Sequence, residues 1–187
     1  MRNIFTLTRP HQYVKNLFIF LPLFFAGKLT DLELLLNVCT AFVAFSVTAS
    51  AIYIINDFQD IEEDRQHPRK KYRPLAQGNV SKKNALVLMS ILFIVGISLM
   101  AKVSLPALFI LSIYIVLNIG YSFYLKHISI LDVTIVAIGF VLRLFVGSKV
   151  SEIPLSTWIV IMTFLLALFI ALAKRRDDVC LFLKTGT

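Results

Sequence analysis

Apolar residues in this chain come in long runs that are separated by short polar segments. A helix needs about 20 mainly apolar residues to cross a membrane, and most of the runs approach or reach that length. We therefore predict an all-α, multi-pass transmembrane helical bundle of about six spans, in a single domain that covers residues 1–187. The predicted spans are Leu17–Ala26, Leu34–Ile55, Ala85–Ala101, Val103–Tyr124, Ile128–Ser148 and Leu155–Ala173.

The first of these runs is the shortest. It has only ten apolar residues, so it can cross the membrane only if its helix begins earlier, near His11. The number of later polar loops requires this crossing. Pro10 suits the start of such a helix, and Ser81 is a plausible N-cap for the third span.

Composition supports a membrane protein. The chain is 58% hydrophobic and 16% charged, with a mean hydropathy of +0.80, whereas about a quarter of the residues in a globular domain are charged. The net charge of +8 could suggest nucleic acid, but the basic residues are dispersed among the apolar runs. This pattern favours orientation in the bilayer and attraction to anionic lipid or phosphate, so we expect no nucleic-acid partner.

The positive charges also predict an orientation. Most lysines and arginines fall on one side of the predicted spans, and only Lys28, Lys102 and Lys149 fall on the other. Cytoplasmic loops are enriched in lysine and arginine. We therefore place the N-terminus and the largest polar loop, residues 56–84, in the cytoplasm.

That loop begins with a stretch, residues 56–65, that holds five of the eleven acidic residues. If the preceding helix continues, Asn56, Asp57, Asp60 and Asp64 share one helical face. Clustered oxygen ligands of this kind suit Mg²⁺, which proteins commonly hold with one or two carboxylates together with substrate phosphates. The stretch predicts a magnesium and diphosphate site at the membrane surface. A solvated acidic helix end is the alternative explanation of the same pattern.

Two ionisable residues, Asp132 and Arg143, fall within the fifth predicted span. Such groups cost about 2.5–3.5 kcal/mol each on insertion scales and usually face a bundle interior, a cavity or a partner. Eleven residues of helix separate them by about 16 Å, so they cannot pair directly. The alternative is that Asp132 lies near the interface and Arg143 extends towards it.

Lys126, next to the fourth predicted span, has two interpretations. It is either a phosphate ligand that faces the magnesium site or a topology anchor that accompanies the interfacial Tyr121.

The pattern Asn56-Asp57-x-x-Asp60-x-x-x-Asp64 resembles the first aspartate-rich motif of the UbiA superfamily of intramembrane prenyltransferases. Within that superfamily the chain is similar to the phosphoribosyltransferase branch that acts on decaprenyl phosphate. This likeness rests on residues 9–16, 64–74, 121–127 and 139–143 and on Asp132. The matches extend over most of the chain.

The resemblance implies an enzyme of bacterial cell envelope biosynthesis in the inner membrane, with its site on the cytoplasmic side. It would be a Mg²⁺-dependent transferase that moves 5-phosphoribose from phosphoribosyl diphosphate, its diphosphate-containing donor, to a polyprenyl phosphate, its lipid acceptor. The implied metal ligands are Asn56, Asp57, Asp60 and Asp64. The implied catalytic residues are Asp57, Asp60, Asp64, Lys126 and Asp132. The implied substrate-binding residues are Lys15, Arg73, Tyr121, Lys126, Arg143, Lys174 and Arg175.

Two other functions fit the same residues. One is a prenyltransferase that moves a prenyl group from prenyl diphosphate to an aromatic or other lipophilic acceptor. The other is a non-catalytic membrane fragment or a transporter. Members of the superfamily typically have nine helices and a second aspartate-rich motif between the sixth and seventh. The chain therefore resembles the N-terminal two thirds of that fold, with Asp177 and Asp178 in the corresponding loop.

Overall fold

The computed structural model describes residues 2–68 and 70–185. Arg69, which belongs to the predicted cytoplasmic loop of residues 56–84, lies outside them, and so does the side chain of Asp178. The elements in chain order are α1 (Arg2–Thr8), η1 (Pro10–Phe20), α2 (Leu21–Phe25), α3 (Leu32–Gln59), α4 (Ile61–Gln66), η2 (Lys70–Tyr72), α5 (Lys82–Val103), α6 (Leu105–Phe123), η3 (Leu125–His127), α7 (Ser129–Ser151) and α8 (Thr157–Thr185), where η denotes a 3₁₀ helix.

The long helices confirm an all-α membrane bundle. Five of them, α3, α5, α6, α7 and α8, are long and apolar enough to cross a bilayer. Polar side chains cap the starts of α3, α5 and α6, because Asp31, Ser81 and Ser104 accept hydrogen bonds from the backbone amides of Leu34, Asn84 and Ala107. The predicted cap at Ser81 is thus confirmed. The chain is an integral membrane protein.

The predicted first span differs from an ordinary α-helix. It consists of two consecutive short elements, η1 and α2, with Pro10 and Pro22 near their starts. A 3₁₀ helix rises about 2.0 Å per residue, compared with 1.5 Å in an α-helix, so these 16 residues reach about 30 Å. That length matches the hydrocarbon core of a bilayer. The longer rise of the 3₁₀ helix explains how so short an apolar run can form the predicted first span, in addition to the five long helices.

The end of the last helix also differs from the prediction. The sequence predicts that the sixth span ends at Ala173 and that Asp177 and Asp178 lie in a loop. Instead α8 continues through them to Thr185, so Lys174, Arg175 and Asp177 are helical. Lysine and arginine are good helix formers and favour the last turns of a helix, which is consistent with this continuation.

α3 is the central helix of the bundle. It packs against η1, α5, α6 and α7, and its side of the core includes Val38, Ala41, Ala44, Phe45 and Ala49. Small residues allow close approach to α5, because a Cβ at Gly96 would overlap the Thr48 hydroxyl and lie 2.9 Å from the Ala44 carbonyl oxygen. Helices in membranes commonly associate through such small residues.

A second apolar cluster closes the end of the bundle where α3 ends. Leu7 of α1 packs there with Ile54, Ile61, Leu75 and Val80, all of which are buried. This cluster anchors the loop between α4 and α5 and the first helix against the end of α3. The polar residues of the acidic stretch and its loop are thereby held on a packed base.

Gly147 of α7 provides a test of the η1 crossing. A Cβ at this position would overlap the Ile19 carbonyl group, whereas a Cβ at Gly120 would meet only the Leu125 side chain at 3.7 Å. We expect Gly147→Ala to lower the free energy of unfolding by about 1–3 kcal/mol, the usual cost of overpacking. Gly120→Ala should be neutral or slightly stabilising. Thermal unfolding in detergent measures both, and equal midpoints for the two variants would contradict the close contact between η1 and α7.

Candidate active site

The acidic stretch lies at an interruption of the helix. α3 ends at Gln59, Asp60 has non-helical angles (φ −92°, ψ 11°), and α4 begins at Ile61. The helix is therefore interrupted at Asp60, so the unbroken helix on which the shared face of the four side chains depended is not present. Even so, Asp57, Asp60 and Asp64 all point inward and are only 2%, 9% and 1% exposed. Buried carboxylates need charged or hydrogen-bonding partners.

Each of these carboxylates contacts a cation from another part of the chain. Arg73 is shared, since its Nη1 lies 3.1 Å from Asp57 Oδ1 and 2.6 Å from Asp64 Oδ2. Arg9 also binds Asp57 Oδ1, and Lys126 binds Asp60 Oδ1. We call these three acids and three bases the charge cluster. It is electrically balanced, with three positive and three negative groups.

The predicted metal ligands are arranged differently from a preformed metal site. Asn56 donates a hydrogen bond from Nδ2 to Asp60 Oδ2 at 3.2 Å, which leaves its Oδ1 available. Among the described residues, no three His, Cys, Asp or Glu side chains are grouped closely enough to hold a metal. Asp57 and Asp64 do converge on one positive centre, the Arg73 Nη1.

Arg9 has an unusual backbone. Its φ of 51° and ψ of 57° lie in the left-handed region, directly before Pro10. This conformation costs a residue other than glycine about 1–3 kcal/mol. Ser50 of α3 fixes the chain on both sides of it, by donating to the Thr8 carbonyl at 2.7 Å and bonding the Tyr13 hydroxyl at 2.8 Å. The Arg9 guanidinium also lies 5.4 Å from the centre of the Tyr53 ring.

A second polar group joins α6, α7 and α8 at the same end of the bundle. The Tyr121 hydroxyl donates to Asp132 Oδ1 at 2.7 Å, and Arg175 binds Asp132 Oδ2. Asp132 therefore has two partners on neighbouring helices. This arrangement places three of the predicted site residues together.

Arg143 lies deeper and is only 4% exposed. It donates to Asn16 Oδ1 at 2.8 Å, to the Gly139 carbonyl at 2.7 Å and to the Tyr114 hydroxyl at 3.2 Å. Its guanidinium also lies 5.0–5.3 Å from the ring centres of three aromatic residues, Phe45, Tyr114 and Phe140. Asn16 in turn donates to Ser46 of α3 at 2.8 Å. Arg143 thus faces the bundle interior and does not extend to the interface.

The structure therefore separates the predicted site residues into groups. The acids, Arg73 and Lys126 form the charge cluster, and Tyr121, Asp132 and Arg175 form the second group. Lys15 is exposed and lies within electrostatic range of Lys174, Arg143 and Arg9. Arg9, Asn16 and Tyr114 were not among the predicted site residues. Residues 9–16 already carried the resemblance, which was the available signal for the first two.

Comparison with known proteins gives one family. A sequence profile of the UbiA prenyltransferase family matches residues 16–180. A decaprenyl-phosphate phosphoribosyltransferase from Corynebacterium glutamicum is 35% identical over 182 residues, which cover 95% of this chain and 55% of that protein. The enzyme of the same name from Mycolicibacterium smegmatis is also 35% identical over 182 residues, covering 95% of this chain and 57% of that protein. The chain spans little more than half the length of these relatives.

A solved structure has the same fold. It is a UbiA homolog from Archaeoglobus fulgidus bound to GPP and Mg²⁺, with a TM-score of 0.82 and 19% sequence identity. The match covers 98% of this chain and 66% of that chain. The predicted UbiA-like architecture is thereby confirmed.

Asn16 provides a test of the Arg143 network. Asn16→Leu removes an acceptor from a buried guanidinium, so we expect a loss of about 2 kcal/mol or more in the free energy of unfolding. Asn84→Leu, at an exposed position, should have little effect. In the double variant Asn16→Leu/Arg143→Met most of the loss should be recovered, because no buried charge is left without its acceptor. Unfolding in detergent measures all three, and additive losses would contradict the network.

Proposed function

The chain belongs to the UbiA prenyltransferase family, and on that premise we propose that it functions as a membrane-embedded, magnesium-dependent transferase. It moves 5-phosphoribose from phosphoribosyl diphosphate to a polyprenyl phosphate. The bond between ribose C1 and the diphosphate breaks, an acceptor phosphate oxygen bonds to C1, and diphosphate leaves. The phosphoribosyltransferases that are 35% identical over 95% of the chain support this choice of substrates.

The charge cluster is the observation that carries the proposal. Three buried carboxylates and three cations that contact them lie together at one end of the bundle. A metal–diphosphate complex also contains both signs of charge. It can therefore satisfy the carboxylates through the metal and the basic side chains through the phosphate oxygens. A ligand of a single charge would leave one half of the cluster unpaired.

The residues present fit Mg²⁺. Carboxylate and amide oxygens are the ligand types that this ion prefers, and the Asp57 and Asp64 carboxylates already converge on one positive group, the Arg73 Nη1. Asp57 and Asp64, which already converge, would hold the ion first. Asp60 and the Asn56 Oδ1 would join them when Asp60 exchanges Lys126 for the ion. When bound, Mg²⁺ would neutralise the negative charge that develops on the leaving diphosphate.

The remaining polar residues bind and orient the substrates. Arg73 and Lys126 bind diphosphate oxygens, and such fixed positive charges stabilise a leaving group without a protein nucleophile. The acceptor phosphate is already anionic near neutral pH, so the reaction does not need Asp132 as a base. Asp132 instead positions Tyr121 and Arg175. Lys15, Lys174 and Arg143 supply the positive field that attracts the acceptor phosphate.

Two alternatives remain distinct from this proposal. A prenyltransferase would use the same cluster for prenyl diphosphate, and the A. fulgidus homolog bound to GPP and Mg²⁺ favours that donor class. A transporter would use intramembrane charges such as Arg143. The clustering of acids and bases at one end of the bundle, and not along a path through it, favours a transferase.

Asp60→Asn tests the proposed site. We expect inorganic diphosphate to increase the Mg²⁺ affinity of the wild-type protein, and Asp60→Asn to reduce that increase about 10-fold. Glu63→Gln is the matched control, because Glu63 lies in the same acidic stretch and is exposed. Isothermal titration in detergent measures the coupling. Equal coupling in the two variants, or no coupling in the wild type, would contradict the proposed function.

The same titration distinguishes the donors. With Mg²⁺ present, phosphoribosyl diphosphate should bind more tightly than a prenyl diphosphate. The reverse order would favour the prenyltransferase. Binding of neither donor, with no coupling to the metal, would leave the non-catalytic alternatives.

We further propose that the protein lies in a bacterial inner membrane, with the charge cluster on the cytoplasmic side. In a Cys39→Ser/Cys180→Ser background, a cysteine at Gln77, in the loop of residues 56–84, should be shielded from a membrane-impermeant maleimide added to spheroplasts. A cysteine at Lys28 should react, since it lies on the side with few positive charges. Gln77 and Lys28 are both exposed in the structure, so burial within the protein would not prevent labelling at either position. The reverse labelling pattern would show that the orientation is opposite to the one proposed.

A further inference from the structure

We infer that Arg9 is a donor-binding residue that neutralises Asp57 in the metal-free protein and moves to the donor's diphosphate when Mg²⁺ binds the carboxylates. This inference rests on the proposed function, because it assigns one more ligand to the same site. It also makes Arg9 a cause of the coupling between metal and diphosphate.

Competition for one oxygen atom is the first argument. Asp57 Oδ1 is contacted by both Arg9 and Arg73, and Asp57 is 2% exposed. A metal ion cannot share that oxygen with two guanidinium groups. When Mg²⁺ takes Asp57 Oδ1, at least one guanidinium loses its partner, and an unpaired cation beside a buried site binds an anion strongly.

Arg9 is better suited to move than Arg73. Arg73 also binds Asp64, and its backbone is held within the loop by hydrogen bonds to the Lys70 carbonyl at 2.9 Å and from the Gln77 amide at 3.0 Å. Asp57 is the one carboxylate to which Arg9 is paired among the described residues. A change of partner therefore requires only rotation of the Arg9 side chain.

The backbone of Arg9 is the second, independent argument. Its left-handed conformation before a proline is strained, and Ser50 holds the chain on both sides of it. Strained residues of this kind persist where the surrounding structure fixes them, and they cluster at functional sites. Here the strain directs a long basic side chain from the junction of α1 and η1 into the charge cluster. Tyr53, whose ring the guanidinium approaches, provides a surface along which it can turn.

The alternative is that Arg9 only ties the first helix to α3. A purely structural pair would resist metal binding or be indifferent to it, and it would gain nothing from diphosphate. The two roles therefore differ in how Mg²⁺ and diphosphate affect Arg9, which can be measured without any assay of transfer.

Arginine modification of the wild-type protein is the first test. Phenylglyoxal reacts with accessible guanidinium groups, and mass spectrometry reports each site. We expect Mg²⁺ alone to increase the reactivity of Arg9, and Mg²⁺ with inorganic diphosphate to reduce it at least about threefold below that level. Arg176, whose side chain is 80% exposed, is the internal reference and should not change. Equal Arg9 reactivity in all conditions would overturn the inference.

The second test uses Arg9→Gln, with Arg176→Gln as the matched control. Loss of the competing cation should increase the affinity for Mg²⁺ alone and reduce the coupling between Mg²⁺ and diphosphate about 10-fold. Weaker Mg²⁺ binding with unchanged coupling would assign Arg9 a structural role and overturn the inference. If the variant does not fold, the modification of the wild type still decides.

The two proposals fail in different ways. Absence of metal–diphosphate coupling in the wild type contradicts the proposed function and this inference with it. Coupling that is present in the wild type and unchanged in Arg9→Gln contradicts the role of Arg9 alone.

Discussion

Charge compensation in a site with little water is the constraint on which the rest of this structure depends. Three carboxylates around the junction of α3 and α4 are almost fully buried, and an uncompensated buried charge costs several kcal/mol. The compensating cations come from the junction of α1 and η1, from the loop before α5, and from η3. Neutralising the acids therefore fixes three separate segments around the end of one helix.

The same rule operates deeper in the bundle at Arg143. A guanidinium among apolar helices is stable only if its donors find acceptors, and here they are Asn16, the Gly139 carbonyl and Tyr114. Asn16 belongs to η1 and also bonds Ser46 of α3. The buried arginine thus holds the unusual 3₁₀ crossing between α3 and α7. Polar contacts specify the position of an element whose short apolar run could not specify it alone.

Acids and bases in direct contact satisfy one another when no ligand is bound. In the proposed function each acid would exchange its basic partner for the metal, and each base would exchange its acid for phosphate. The ion pairs seen in the structure compensate the buried charges, and the proposed exchange would make binding of the two ligand components mutually dependent. Asp132, Tyr121 and Arg175 extend the polar surface to α8, so the last described helix also contributes to this face.

Much of the fold could be predicted from the sequence, because a membrane requires long apolar helices and leaves few alternatives. The spans of α3, α5, α6 and α7, the cap at Ser81 and the grouping of acids at the end of α3 all follow from local pattern. Local pattern could not predict which cation meets which acid, since Arg9 and Asp57, or Lys126 and Asp60, are distant in sequence. It also missed the interruption at Asp60, the 3₁₀ form of η1 and the continuation of α8. The sequence determined where polar groups had to leave the membrane, and only tertiary packing decided their partners, because ion pairing depends on distances that separate helices create together.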